Sequence, residues 1–339
     1  MSRLLAWVGN SYFSSAMSDH GWEVRHIDLS KPWMDWAGIV RRIGSIPDLI
    51  VYGDRSLIPP ILGLESFPCP TLFYCVDSHI HTWYPFYAQA FDLVAMNLWD
   101  HLPAFLNLRL HRDRFLWLPL YSKAGDLPHI TESEFDLLFV GKVDPELTPG
   151  RAAFLTELNE LFPKLVLRRG DYRSLYPKAR IVLNVAEHGD MNFRVFEAMG
   201  CGSCLLTPDI GHGQDRLFVH GRDFWLYHHG DAKSAAKAAE RLLFDDELRL
   251  TIGRNAWKKI TEAHKPIHRA ATLAAWLDSF DLQELMHERL KDAARIRETY
   301  LKVPYLHFAE QRFTEDLRQA YLRHATPQTD RSANPRTKE

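Results

Sequence analysis

The run Arg180-Ile181-Val182-Leu183-Asn184-Val185-Ala186-Glu187-His188-Gly189-Asp190-Met191-Asn192-Phe193-Arg194-Val195-Phe196-Glu197-Ala198-Met199-Gly200-Cys201-Gly202 decides how the chain is read. It opens on an apolar, β-branched stretch, the pattern of a buried strand. A polar turn carrying Gly189, Asp190 and Asn192 follows. A short helix then runs to Gly200 and Gly202, and Cys204-Leu205-Leu206-Thr207-Pro208 reads as the next buried strand. Strand, turn, helix and strand make a βαβ unit, the building block of parallel α/β sheets. Within the helix, Val195, Phe196 and Met199 fall within about 100° of one another on a helical wheel, and Glu197 and Arg194 take the far side. Asn192 is placed to cap the helix. The free amides of its first turn then face whatever lies beyond the strand end, which suits an anion. A capped surface helix with a solvated charged face has the same pattern.

Working outward, the first 120 residues hold six strand-like runs at intervals of roughly 20 to 25 residues, the spacing of βα units. They are Leu4–Val8, Trp22–Ile27, Asp48–Tyr52, Thr71–Val76, Leu93–Met96 and Phe115–Leu118. In such open sheets ligands sit beyond the carboxyl ends of the strands, so the polar residues there are informative. They are Gly9 and Asn10, Gly53 and Asp54, Asp77-Ser78-His79, and Asn97. Asp77 and His79 put a carboxylate and an imidazole at one strand end, a pair able to orient a hydroxyl or move a proton. An aspartate capping the next turn beside an exposed histidine fits equally. Between Tyr121 and Phe135 the chain turns polar, as an interdomain linker does. A second series begins at Asp136–Gly141 and continues through Leu165–Leu167, the opening run, Cys204–Pro208 and Phe224–Tyr227. Helices are expected over Ala232–Leu243, Glu247–Ala263, His268–Phe280, Leu285–Leu301 and Phe308–Ala325. The expected domains are 1–121 and 136–280, with helices over 281–325 and a disordered tail over 326–339.

The bulk properties narrow the function classes. At 339 residues, 46% hydrophobic and with a formal charge of −2, the chain suits about two globular domains and gives no global case for binding nucleic acid. No stretch approaches the ~20 apolar residues of a membrane span, and the N-terminus is a poor signal peptide, so a cytoplasmic protein is expected. Four cysteines give no disulfide framework. Cys201-Gly-Ser-Cys204 reads as small residues at a tight turn.

Asn192-Phe193-Arg194-Val195-Phe196-Glu197-Ala198-Met199-Gly200-Cys201-Gly202 with Leu205-Leu206-Thr207 resembles glycosyltransferases of the GT-B fold. It is most similar to the CgeB-like (spore maturation protein) group related to the GT4-type family. Phe139-Val140-Gly141 with Arg151, and Asp77-Ser78-His79, extend the likeness. The resemblance implies an α/β protein of two Rossmann-like domains facing across a cleft, with C-terminal helices. It implies a nucleotide-diphosphate sugar as co-substrate, bound by the second domain, and a glycan, protein or small-molecule acceptor at the first. By resemblance Glu197 holds the ribose hydroxyls, and Arg151, Lys142 and Arg194 neutralise the diphosphate. Gly189, Asp190 and Asn192 meet the donor sugar and diphosphate, with Asn10 on the donor side of the first domain. Asp77 and His79 stand across the cleft at the reacting hydroxyls. The GT4-type pattern has a glutamate eight positions before Glu197, where this chain has Gly189; Glu187 and Asp190 are the nearby carboxylates able to replace it. The resemblance also implies retention of configuration, with no metal and no further cofactor. A nucleotide- or sugar-binding scaffold without catalysis, or a nucleotide-sugar epimerase, uses the same fold. The terminal helices offer a surface for a homo-oligomer.

Overall fold

A computed structural model describes residues 3–29, 32–106, 108–129, 131–311 and 314–326. Of the expected tail, only Thr326 lies among them.

Every expected strand is present, within a residue or two at its ends. The first sheet contains β1 (Arg3–Gly9), β2 (Trp22–Ile27), β3 (Leu49–Gly53), β4 (Thr71–Cys75), β5 (Leu93–Met96) and β6 (Phe115–Trp117). Its order is β2-β1-β3-β4-β5-β6 and all pairings are parallel. The second contains β7 (Phe135–Val140), β8 (Leu165–Arg168), β9 (Ala179–Leu183), β10 (Leu205–Asp209) and β11 (Trp225–His228). Its order is β11-β10-β9-β7-β8, again all parallel. β3, β4 and β5 are buried along their whole length, which is why they read as unbroken apolar runs. Strand order reverses between β1 and β3 and between β7 and β9. The loops that diverge there open the crevice in which such sheets take ligands. At the first switch point the backbones nearly touch. A Cβ on Gly9 would lie 2.2 Å from the Gly53 carbonyl oxygen, and Gly9 has φ of 98°, so only glycine fits.

The chain crosses between the sheets twice. The segment 118–126 leads out of the first domain, and the helix Pro266–Leu277 leads back. That helix buries Ala270, Leu273 and Leu277 in one core with Phe13 and Met17 of the first domain. Beyond it, the expected pair of long helices is a broken series. Leu282–Lys291 and Ala293–Ile296 are followed by a π-turn at Arg297–Leu301, then Lys302–Glu310 and Glu315–Ala325. Pro304 explains the π-turn: its ring clashes with the carbonyl four residues back in a regular helix, and a widened turn relieves that. Tyr300, Leu301, Tyr305, Phe308 and Tyr321 pack in one cluster with Ile50, Tyr52 and Phe73 of the first sheet. Residues 282–325 are therefore the outer layer of the first domain. Among the described residues, no helix is long and apolar enough to cross a membrane.

One buried pair locks this layer down. Arg289, fully buried, meets Asp92 at 2.9 Å and also donates to the carbonyls of Leu64, Phe67 and Cys69. Removing one partner strands the other's charge in the core. Arg289→Met is expected to lower the unfolding free energy by about 3–5 kcal/mol in urea titration; a loss below about 1 kcal/mol would contradict this account.

Candidate functional site

Asp54, just past β3, builds the first-domain wall of the crevice. Its buried carboxylate accepts from the amides of Ser56 (2.8 Å), Val76 (3.0 Å) and Asp77 (2.9 Å) and from the Tyr84 hydroxyl. Its carbonyl accepts from Asn10 Nδ2 at 2.8 Å and from the Tyr12 hydroxyl at 2.7 Å. Three strand ends are thus tied to one residue, and the side-chain amide of Asn10 is engaged in holding them. Burial and the Asp54 charge push Asp77 up to about 7, with Asp190 adding to the effect and the Ser56 hydroxyl opposing it. A carboxyl poised there can both hold and release a proton near neutrality.

His79 stands within a string of four imidazoles drawn from both domains. Its ring centroid lies 5.9 Å from His188 and 6.4 Å from His101, and His101 lies 5.1 Å from His212. His101 pairs with the Ser78 hydroxyl at 3.1 Å. The backbone amide of His212 donates to Asp100 at 2.6 Å. The Nδ1 atoms of His79 and His212 are buried without a hydrogen-bond partner. Burial lowers His79 to about 4; Asp190 pulls the other way, and the other three imidazoles reinforce the lowering. At neutral pH His79 is therefore a neutral imidazole.

The second-domain wall is cationic. Asn192 caps the helix Phe193–Gly200 by accepting from the Arg194 amide at 3.1 Å, as expected. The Arg194 guanidinium is pinned by Asn184 Oδ1 (2.9 Å) and the Val140 and Val185 carbonyls, and lies over the Phe139 ring. Arg151 is close enough that Arg194 depresses its pKa, after burial itself. Its Nη1 donates to the Lys142 carbonyl, and its Nε is buried without a hydrogen-bond partner, 3.8 Å from Glu187. Two guanidiniums held this close, one with an unmet donor, form a natural seat for an anion. The Lys142 side chain is more exposed and pairs with Asp144 at 2.8 Å.

Of the two carboxylates near Gly189, the structure separates the roles. Glu187 accepts from the amides of Gly150 (3.0 Å) and Arg151 (2.7 Å), so it caps the helix Pro149–Leu161 and does not face the cleft as a sugar ligand. Asp190 lies in the electrostatic field shared by Asp77, His79 and Arg151. Gly189 has φ of 72° and open space where a Cβ would go; the backbone, not crowding, opposes a side chain there.

Beside these groups lies a pocket of about 310 Å³, lined among others by Gly141, Lys142, Arg169, Tyr172, Arg194 and Glu197. Glu197 turns a largely buried carboxylate into it, and burial raises its pKa. Tyr172, Arg169 and Lys123 were not singled out in the sequence. Tyr172 is an aromatic in a short helical turn without motif context, and Lys123 belongs to a segment that reads only as a linker. Nor were His101, His188 and His212, which are brought together only by the fold. The structure thus gathers Asp77, His79, Asp190, Arg151, Arg194 and Glu197 around one cleft. Asn10 and Lys142 stand at its margin.

Residues 160–275 match the family described as Glycosyl transferase-like. No curated protein sequence matches the chain significantly. Among solved structures it is similar to sucrose-phosphate synthase from Thermosynechococcus elongatus, with 11% identity over 82% of this chain and 98% of that one, at a TM-score of 0.56. It is similar to HepE of Anabaena in complex with UDP-glucose, with 13% identity over 82% and 100% of the two chains, at 0.54. A glycosyltransferase from Rickettsia africae matches at 9% identity over 88% and 99%, at 0.50. The fold is that of GT-B glycosyltransferases.

The lowered pKa of His79 has a sign. Below its ordinary pKa near 6.5, the unfolded chain takes up a proton that the folded chain refuses until about 4. Its contribution to stability is complete above 6.5 and lost as pH falls towards 4. The stability of wild type relative to His79→Gln is expected to drop by roughly 1 kcal/mol between pH 7.5 and 4, a figure discounted for partial exposure. Parallel stability profiles from denaturant melts would refute this.

Proposed function

We propose that this protein is a glycosyltransferase that moves a sugar from a nucleotide-diphosphate donor to a hydroxyl acceptor in the cytoplasm. The observation that carries the reading is the convergence at one interdomain cleft of a buried carboxylate (Glu197), a guanidinium pair (Arg151, Arg194), a capped helix N-terminus and a near-neutral carboxyl (Asp77). The family match over residues 160–275 and the likeness to a fold solved with UDP-glucose support it.

In this reading Glu197 accepts the two ribose hydroxyls, and the nucleobase lies along Tyr172. The diphosphate sits between Arg151, Arg194 and the amides of the first turn after Asn192. As the glycosidic bond breaks, negative charge grows on the leaving diphosphate. Fixed guanidiniums and amides stabilise that charge without having to reorganise. The two guanidiniums and the helix amides at this position are the basis for proposing transfer without a metal ion. Lys142 adds charge from the rim. Asp77 and neutral His79 face the sugar from the other domain. His79 hydrogen-bonds donor hydroxyls, and Asp77 exchanges a proton with the acceptor side. Asp190 stands where the GT4-type glutamate is missing and contacts the sugar. Retention of configuration, and placement in the CgeB-like group, rest on the motif around Glu197.

A thermal-shift screen of nucleoside diphosphates and their sugars tests the reading, starting from the uridine series. Ligand at a hundred times its dissociation constant stabilises by about 2.7 kcal/mol. Glu197→Gln is expected to weaken nucleotide binding by about 10-fold or more, the scale of a lost charged hydrogen bond. Arg151→Ala is expected to lower kcat/KM by about 10²-fold with a smaller effect on nucleotide affinity. Nucleotide binding with no sugar released to any acceptor or to water favours a binding protein. Interconversion of the donor alone, seen by NMR, favours an epimerase.

A further inference from the structure

The Glu197 carboxylate is met by a residue from outside its own domain. Lys123, on the segment that crosses between the domains, places its Nζ 3.3 Å from Glu197 Oε1. The ammonium also lies over the Tyr172 ring at 5.6 Å and the Phe193 ring at 5.9 Å. Exposed ion pairs contribute little, but here only the lysine is exposed; the Glu197 side chain is 13% exposed. An ionised carboxylate so placed needs a partner.

The lysine is held in place by its own backbone. Its amide donates to Asp126 Oδ2 at 2.7 Å, and its carbonyl accepts from Lys265 Nζ at 3.1 Å. Asp126 is fully buried and also accepts from the Ser122 hydroxyl (3.0 Å), the Tyr172 hydroxyl (2.7 Å) and Arg173 Nε (2.9 Å). One carboxylate therefore fastens the crossing segment to the pocket's aromatic wall and aims Lys123 at Glu197.

We infer that Lys123 is a positioning residue of the donor pocket: its ammonium is the counter-ion that keeps the Glu197 carboxylate charged and oriented for the ribose hydroxyls. The ribose role rests on the function proposed above; the counter-ion role does not. The groups facing Glu197 are Lys123 and Asp126 from the crossing segment, Arg194 and Cys201 from its own helix and helix end, and Tyr172 and Tyr176 from the two short helical turns after β8. Burial raises Glu197, and Lys123 is the largest opposing influence, ahead of Arg194. Without Lys123 the carboxylate protonates at higher pH. A protonated Glu197 is a poorer acceptor for two hydroxyls, so nucleotide affinity falls off on the acid side at higher pH than in wild type.

The test uses the full chain, with ¹³C-labelled glutamate and the Glu197 signal assigned by its loss in Glu197→Gln. In the ligand-free protein, Glu197 is expected to titrate at higher pH in Lys123→Met than in wild type, and Lys123→Arg is expected to restore wild-type behaviour. In parallel calorimetry with UDP and GDP, Lys123→Met is expected to bind roughly fivefold more weakly at pH 6, with the loss shrinking towards pH 8. Coincident Glu197 titrations in wild type and Lys123→Met overturn the counter-ion role. A shifted titration with pH-independent binding overturns its link to ribose. If wild type binds no nucleotide, the proposed function falls, while the titration still decides the counter-ion role.

Discussion

Buried charge at the double crossing between the two sheets sets their relation, and everything in the cleft inherits that geometry. Arg269, on the returning helix, donates to the carbonyls of Pro119 and Leu120 on the outgoing segment and to Ala263 on its own side. Lys265 donates to the Ser122 hydroxyl and to the carbonyls of Lys123 and Asp126. The Ser122 amide donates back to the His264 carbonyl. Burial brings Arg269 down to about 10, still far above neutrality. A hinge made this way resists fraying because each cation is paired with otherwise unmet carbonyls.

The cleft walls differ in electrostatic character for a reason rooted in topology. Both sheets are parallel, so all strand ends point inward, and buried polar side chains must satisfy one another there. In the first domain that task falls to a carboxylate, Asp54, whose charge raises its neighbour Asp77. In the second it falls to Asn184, which accepts from Arg194 and donates to Thr207. The first-domain wall therefore carries Asp54, Asp77, His79 and His101, and the second-domain wall sets the guanidiniums of Arg151 and Arg194 beside Asp190 and Glu197.

Much of the fold was legible in the sequence because strands buried on both faces leave little choice of residue. β3, β4 and β9 announce themselves as apolar runs between glycine and polar turns. The cap at Asn192 and the outward faces of Arg194 and Glu197 followed from helical geometry alone. What stayed hidden depended on contacts between distant residues. His79, His101, His188 and His212 occupy four separate segments, and no spacing links them. Glu187 looked like a ligand because it stands near Gly189; only the structure shows it capping another helix. The terminal helices were visible by periodicity, but the π-turn required knowing that Pro304 would be held in a continuing helix.

The layer formed by residues 282–325 makes the first domain discontinuous in the chain, with the whole second domain inserted between its sheet and its cover. During synthesis the second domain can close as soon as it has emerged. The first domain must wait for the outer layer that joins its cluster around Ile50, Tyr52 and Phe73. Exposed parallel sheets are vulnerable while they wait. Anything that delays that layer would leave a finished second domain tethered to an unfinished first one. The first-domain wall of the cleft thus depends on a layer far in sequence from every residue that lines it.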